Sequence, residues 1–206
     1  VDDSALGEDV VKKLKNHKVN TDYVMTMPGG MGTWLAVFDH NGDLAGSISQ
    51  RPNLMPILGL LEKKGDEIFA NADSVIVEVD MDKDIIKKVV ALAKQYNKKL
   101  YGVVSNMSIA VERRDFLKHF DCFICNQLEA GMLFMEDYAD KSPEELRDIL
   151  SKRVILGKIP AMIVTMGGNG AVYADVNGEK GICPPQRVRV KDTTGAGDAF
   201  NGGLLA

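Results

Sequence analysis

From residue 70 onwards the chain alternates short continuous apolar runs with segments of helical period, and no other feature constrains its fold as much. Ser74-Val75-Ile76-Val77-Glu78-Val79 reads as a strand buried on both sides. Ile85, Ile86, Val89, Val90, Leu92, Ala93 and Tyr96 then recur at helical spacing. Leu100 to Val104 is the next strand run, Glu112 to Phe120 a helical stretch, and Phe123-Ile124-Cys125 a further strand. Ser142-Pro143-Glu144-Glu145 opens a helix with an N-cap, a first-turn proline and a capping-box glutamate. Ala161-Met162-Ile163-Val164-Thr165 returns to strand character. This order predicts an α/β fold whose mostly parallel sheet is covered by helices on both faces. After Gly170 the pattern becomes that of a hairpin: Ala171 to Ala174, a turn at Asn177-Gly178, and a return over Gly181 to Val190.

The first fifty residues have a different character. Val10, Val11 and Leu14 mark an amphipathic helix within Ser4 to Lys18. Tyr23-Val24-Met25 and Thr33 to Phe38 are strand-like, and Leu44 to Ser49 returns after a turn centred on Asn41-Gly42. Residues 21–50 are therefore expected to form a small antiparallel sheet, with Pro28-Gly29-Gly30-Met31-Gly32 as a turn leading into it. Trp34 is expected in the core of that sheet. The chain starts at Val1 without a methionine, and its last residues look like the middle of a helix. It is read as part of a longer protein, with residues 1–206 belonging to one domain.

With 45% hydrophobic residues, the 206-residue chain can bury one substantial core. Its net charge of -4 argues against a nucleic-acid surface. No apolar run approaches the roughly 20 residues of a membrane span, and no signal peptide is visible. Three cysteines without a dense framework imply a reducing compartment, so the cytoplasm is expected. Cys122 and Cys125 form a C-x-x-C that admits a redox or zinc reading, but the flanks read as a buried strand with no second ligand pair.

Open α/β sheets bind ligands beyond the carboxyl ends of their strands. The strongest candidate there is Asp192-Thr193-Thr194-Gly195-Ala196-Gly197-Asp198-Ala199-Phe200-Asn201-Gly202-Gly203. Its small residues let a backbone approach a ligand closely. The helix that follows would aim the Gly195 to Asp198 amides at a phosphate. A carboxylate at Asp198 could accept a proton from a substrate hydroxyl beside those amides. Otherwise the run is a glycine turn with Asp198 as a helix cap. Thr165-Met166-Gly167-Gly168-Asn169-Gly170 is either a tight turn or a second phosphate loop. Asn126-Gln127-Leu128-Glu129 is a helix N-cap, a magnesium-water site, or both. Glu78 and Asp80 share one side of a strand end, where they either bind substrate hydroxyls or are solvated.

The run from Asp192 to Leu205 resembles the C-terminal signature of the phosphofructokinase-B family of carbohydrate kinases. The resemblance extends from Asp2 to Ala206 and implies a three-layer α/β/α ribokinase-like fold with a small β lid at 21–50. It implies ATP-dependent phosphorylation of a sugar or nucleoside hydroxyl. Asp198 would be the base, and Gly195, Ala196 and Gly197 the anion hole. Thr165, Gly167, Gly168, Gly170, Asn126 and Gly197 would contact ATP. Glu129 and Asn126 would organise Mg²⁺ through water. Asp192 and Thr194 would lie near a monovalent cation such as K⁺. Glu78, Asp80 and Thr33 would face the acceptor, and the lid would pair two subunits. Gly32 to Asp43 is similar to the lid of pseudouridine kinases, which implies pseudouridine as acceptor. Ribose and fructose 1-phosphate are alternatives, and an inactive nucleotide-binding module is the reading from another class. The first substrate motif and the adenine cover of the family are missing from these residues, and Tyr101 to Asn106 lacks the Asp-Pro that many members carry.

Overall fold

A computed structural model describes residues 1–38, 44–106, 110–190 and 193–205. The chain divides into two compact units, Val1–Glu62 and Lys63–Ala206.

In the first unit, helix α1 (Ala5–Asn16) is capped by Ser4, whose hydroxyl accepts a hydrogen bond from the Gly7 amide at 3.3 Å. Tyr23 to Met25 form no strand. Instead Val1 N donates to the Met25 carbonyl at 2.9 Å and the Met27 amide to the Val1 carbonyl at 3.0 Å, holding this segment as an irregular loop. The predicted turn is present, with Gly30 N–H donating to Met27 O and Gly29 at φ 66°. Strands β1 (Thr33–Phe38) and β2 (Leu44–Gln50) pair antiparallel from Thr33↔Gln50 to Val37↔Gly46. The expected turn at Asn41-Gly42 lies outside the described residues. Neighbouring side chains on a strand point to opposite faces. Trp34 and Leu35 are 56% and 59% exposed, so both faces of the ribbon are open and Trp34 is not core.

Helix α2 (Met55–Asn71) was not apparent in the sequence. Within the second unit its Gly65 permits close packing, since a Cβ there would lie 2.6 Å from Leu92. The sheet then builds in chain order through β3 (Ser74–Glu78), β4 (Lys99–Val103), β5 (Cys122–Asn126) and β6 (Ala161–Thr165), all parallel. Strands β7 (Ala171–Asp175) and β8 (Lys180–Cys183) add antiparallel at the edge. The returning strand ends at Cys183 rather than running to Val190, because Pro184 and Pro185 have no N–H to give to a ladder.

Helix α3 (Lys83–Gln95) buries Ile85, Ile86, Val89, Val90, Leu92 and Ala93, the stripe its period predicts. The stretch expected as a helix near 112–120 is a 3₁₀ helix, Val111–His119. Helices α4 (Gln127–Phe134) and α5 (Pro143–Gly157) each begin with a complete capping box. Helix α6 (Ala196–Leu205) follows the glycine run.

Strand alternation sorts the core into two faces. Phe123, Met162, Val164 and Val172 are fully buried on the face packed by α3, α4 and α5. On the other face Val103, Cys122 and Ile124 form a cluster with Tyr101, Ala161 and Ile163, against which Phe200 and Leu205 of α6 pack. Helices thus lie on both faces, as the alternation requires. Among the described residues no helix is long and apolar enough to cross a membrane.

Phe123 is central, with no exposure and with Phe120, Gly102 and Val79 around it. Phe123→Ala should cost about 3–5 kcal/mol, read as a lower urea midpoint in equilibrium unfolding. An unchanged midpoint would contradict this account of the core.

Candidate active site

The site is assembled by strand register. Asn126 ends β5 and Thr165 ends β6, and the two are direct partners across the parallel ladder. Each lies two residues beyond a side chain on the α6 face, Ile124 and Ile163, so both point to that face. Glu78 ends β3 with the same parity, two residues beyond Ile76, which pairs with Tyr101. Three side chains far apart in sequence therefore emerge on one face at the carboxyl edge of the sheet. The helix on that face begins with the glycine run.

That helix starts as its composition predicts. Gly195 has φ 77°, a left-handed conformation that a side chain resists. The Ala196 amide donates to Thr193 O at 3.1 Å, and Ala199 N–H closes the first helical bond to Gly195 O at 2.9 Å. The Gly197 and Asp198 amides belong to the first turn, which has no intrahelical acceptors. Asp198 is exposed and not turned into the core.

Two cavities meet in front of this turn. The smaller, about 100 Å³, is bounded by Asn126, Glu129, Thr165, Gly197, Asp198 and Asn201, with Val104, Ile124 and Cys125 behind. The larger, about 420 Å³, is bounded by Thr165, Gly167, Gly170, Gly197 and Phe200, with a wall from Cys183 to Gln186. Thr165 and Gly197 belong to both. Among the described residues neither lining contains Lys, Arg or His.

The glycine turn after β6 is a short 3₁₀ segment, Gly167–Asn169. Gly167 and Gly170 have φ 56° and 87°. A Cβ on Gly170 would collide with the Cys183 carbonyl, so this glycine is what lets the turn close on the edge of β8. Gly168 shares the turn but borders neither cavity.

Asn126 and Glu129 form the capping box of α4. Asn126 Oδ1 accepts from Glu129 N–H at 2.9 Å, and Glu129 Oε2 accepts from Asn126 N–H at 2.7 Å. The helix-cap reading thus holds, and it also fixes both side chains at the cavity rim. Burial pushes the Glu129 carboxyl above its usual range, opposed by the Asn126 amide. Among the described residues no three His, Cys, Asp or Glu side chains gather as a direct metal cage. A cation held largely through water, as magnesium prefers, fits this pair of oxygen donors.

Glu78 is half-buried, and its Oε1 has no hydrogen-bond partner among the described residues. Burial raises its pKa first, Ser105 opposes the rise, and the charges of Asp80 and Asp198 add to it. Asp80, two residues further along the chain, is buried. The two carboxylates are therefore not a solvated strand end, and Glu78 senses the charge of Asp198.

Some expected residues do not enter this grouping. Asp192 lies outside the described residues, and Thr194 is exposed. Thr33 belongs to the first unit. Sequence reasoning missed Asn201 and the Cys183–Gln186 wall. Asn201 could have been found by its place one helical turn after Asp198, and the wall by its paired prolines. The C-x-x-C thiols are both buried; burial pushes Cys122 up to about 11 and Cys125 up as well. Protonated, enclosed thiols are poor nucleophiles, which opposes redox chemistry.

The pfkB family carbohydrate kinase profile matches residues 1–206. The chain is 31% identical over 210 residues to guanosine-inosine kinase from Exiguobacterium acetylicum, covering all of this chain and 68% of that one. It is 23% identical over 211 residues to pseudouridine kinase from Escherichia coli, covering 97% of this chain and 63% of that one. Ribokinase from Giardia lamblia superposes with a TM-score of 0.81 at 17% identity, over all of this chain and 64% of that one, which speaks to the fold. This chain belongs to the pfkB family of carbohydrate kinases, phosphotransferases that act on sugar hydroxyls. It spans roughly two thirds of the length of these relatives.

The raised Glu78 pKa gives a stability test with a definite sign. A carboxyl that prefers its neutral form in the fold contributes stability below its unfolded value near 4.5, and that contribution is lost as pH rises through the higher folded value. The stability of wild type relative to Glu78→Gln should therefore decline as pH rises from 4 upwards. Paired urea titrations across pH would show this, and a flat difference would refute it.

Proposed function

We propose that this chain is the central part of an ATP-dependent kinase that phosphorylates a hydroxyl of a nucleoside or sugar. The observation that carries the proposal is the meeting of the two cavities at Thr165 and Gly197, with Asp198 in the smaller one. The larger cavity falls within the range of small-molecule sites. It takes the nucleotide, with the phosphate chain running past Gly167 and Gly170 towards Gly197. The acceptor hydroxyl enters beside Asp198.

Asp198 accepts the hydroxyl proton as the acceptor oxygen bonds to the γ-phosphorus. The bond from that phosphorus to the bridging oxygen breaks, and ADP leaves with the electron pair. The Gly197 and Asp198 amides donate to the phosphoryl oxygens at a helix N-terminus, where the macrodipole favours negative charge. Thr165 can add a hydroxyl donor at the junction. Asn126 and Glu129 would hold Mg²⁺ through water, and the ion supplies the positive charge that the side chains of these linings do not.

For the acceptor, 31% identity to a guanosine-inosine kinase against 23% to a pseudouridine kinase favours a purine nucleoside over pseudouridine. Both acceptors offer a ribosyl hydroxyl, and Glu78 and Asp80 are carboxylates suited to orient ribose hydroxyls. The exposed apolar ribbon of Trp34, Leu35, Val37 and Ile48 is read as a contact with a second copy.

In the full-length protein, Asp198→Asn should lower turnover by about 10²–10⁴-fold with ATP affinity little changed. Turnover measured over guanosine, inosine, pseudouridine and ribose, with calorimetric ATP binding, checks both parts. A wild type that binds ATP and phosphorylates nothing would identify a silent nucleotide-binding module. For the ribbon, Trp34→Glu should convert a sedimenting dimer to monomer, and a monomeric wild type would rule the contact out.

A further inference from the structure

The opposite end of the sheet has a cavity of its own. Helix α3 ends in a tight reversal, with Asn97 at φ 51°, before β4 begins at Lys99. The reversal brings Lys94, Lys98 and Lys99 around a space of about 360 Å³, closed on the far side by His119 and Asp121 at the entrance to β5. This is the amino edge of the parallel strands, a strand length away from Asn126 and Thr165.

Its charges do not balance. Asp121 is the one carboxylate in the lining, and both its oxygens are used: Oδ1 accepts from Lys99 Nζ at 2.6 Å and Oδ2 from Leu100 N–H at 2.9 Å. Lys98 Nζ donates to the Ala70 carbonyl at 3.3 Å, and Lys94 Nζ lies 3.4 Å from His119 Nδ1. Three ammonium groups against one carboxylate leave an excess of two positive charges in the lining. Each ammonium has three donor hydrogens, and each of these three lysines has one protein partner among the bonds just named. Donors remain on every one.

His119 reports the same imbalance. Burial, Lys94 and Lys118 all hold its pKa below the usual value, with Asp115 as the opposing charge on its own 3₁₀ helix. Lysines near a helix C-terminus ordinarily offset the macrodipole. That role needs neither a concave space nor an imidazole facing the same space.

We propose that the cleft formed by Lys94, Lys98, Lys99 and His119 is a second, non-catalytic binding site for a phosphate-monoester dianion. A dianion matches the excess charge, and its tetrahedral oxygens can accept from several ammonium groups at once. The cavity has room for a small organic group beyond the phosphate.

The test uses the full-length protein carrying Asp198→Asn, with inorganic phosphate and ribose 5-phosphate as probes and the His119 imidazole resonances as readout. Saturable shifts of those resonances, with the His119 titration midpoint moved upwards, are expected. Lys94→Gln and Lys98→Gln should each weaken the probe by about tenfold, the loss of one charge-assisted hydrogen bond. An unmoved His119, or a shift that sodium chloride reproduces at matched ionic strength, would overturn the site. So would unchanged affinity in both lysine variants. If either lysine variant fails to fold, Lys99→Gln read against the same resonances takes its place.

Discussion

One ladder register carries the candidate site: the pairing of Asn126 with Thr165 at the ends of β5 and β6. Strands in a parallel sheet lie about 4.8 Å apart, so this register sets two motifs side by side however long the intervening chain. Parity does the rest. Since Asn126, Thr165 and Glu78 all follow α6-face residues by two, their side chains share one face, and Asn126 and Thr165 line a cavity with Gly197 and Asp198 of the helix there. A one-residue slip in β5 would turn Asn126 towards the α4 and α5 face and away from the glycine turn. The buried run Cys122 to Cys125 resists that slip, because Phe123 would have to leave a site where it is wholly enclosed.

The electrostatics of the same edge are unusual for a place proposed to receive a polyphosphate. The smaller cavity is lined by Glu129 and Asp198, Glu78 senses Asp198, and no described lysine, arginine or histidine lines either cavity. A polyanion brought here meets carboxylates first. Backbone amides can offset part of that repulsion, since a helix N-terminus carries about half a positive charge. Under that proposal the remainder would call for a mobile cation that enters with the donor. Such a cation also suits Glu129, whose buried carboxyl is costly to ionise until positive charge is near.

Much of the second unit was legible in the sequence because its signals are local. The stripe of α3, the capping box of α5 and the four parallel strands each depend on residues a few positions apart. The glycine run was legible for the same reason: clustered glycines after a strand mark a turn, and Gly195 and Gly170 do take positive φ there. Helix α2 was not, since Gly59 and Gly65 interrupt its pattern and Gly65 is there to admit Leu92, a contact with no local signature. Tyr23 to Met25 misled for the converse reason, carrying an aromatic and a β-branched residue but lying in a segment held by hydrogen bonds with Val1. Trp34 misled because aromatic residues on a strand usually mark a core, and a two-stranded ribbon by itself has none. The link between Glu78 and Asp198 was out of reach altogether. It needs the register of β3 with β4 and the placement of α6, both set by tertiary packing.

On the two proposals above, the ends of the sheet would handle anions in different ways, and the difference follows from what each would have to do. At the amino edge three lysines supply permanent positive charge, a design suited to holding an anion that does not react. At the carboxyl edge fixed cations would hold the donor equally well before and after transfer, and such uniform binding does not lower a barrier. Carboxylates with free amides and a water-held cation leave the charge balance to change as the reaction proceeds. In the proposed reaction Asp198 takes up a proton as the phosphoryl group moves, which removes one of the negative charges that Glu78 senses. Burial is the first cause of the raised Glu78 pKa, and the charges of Asp80 and Asp198 add to it. On the proposed mechanism, protonation of Asp198 would remove only the last and smallest of those contributions, so the electrostatic gain at Glu78 accompanies the transfer and does not drive it.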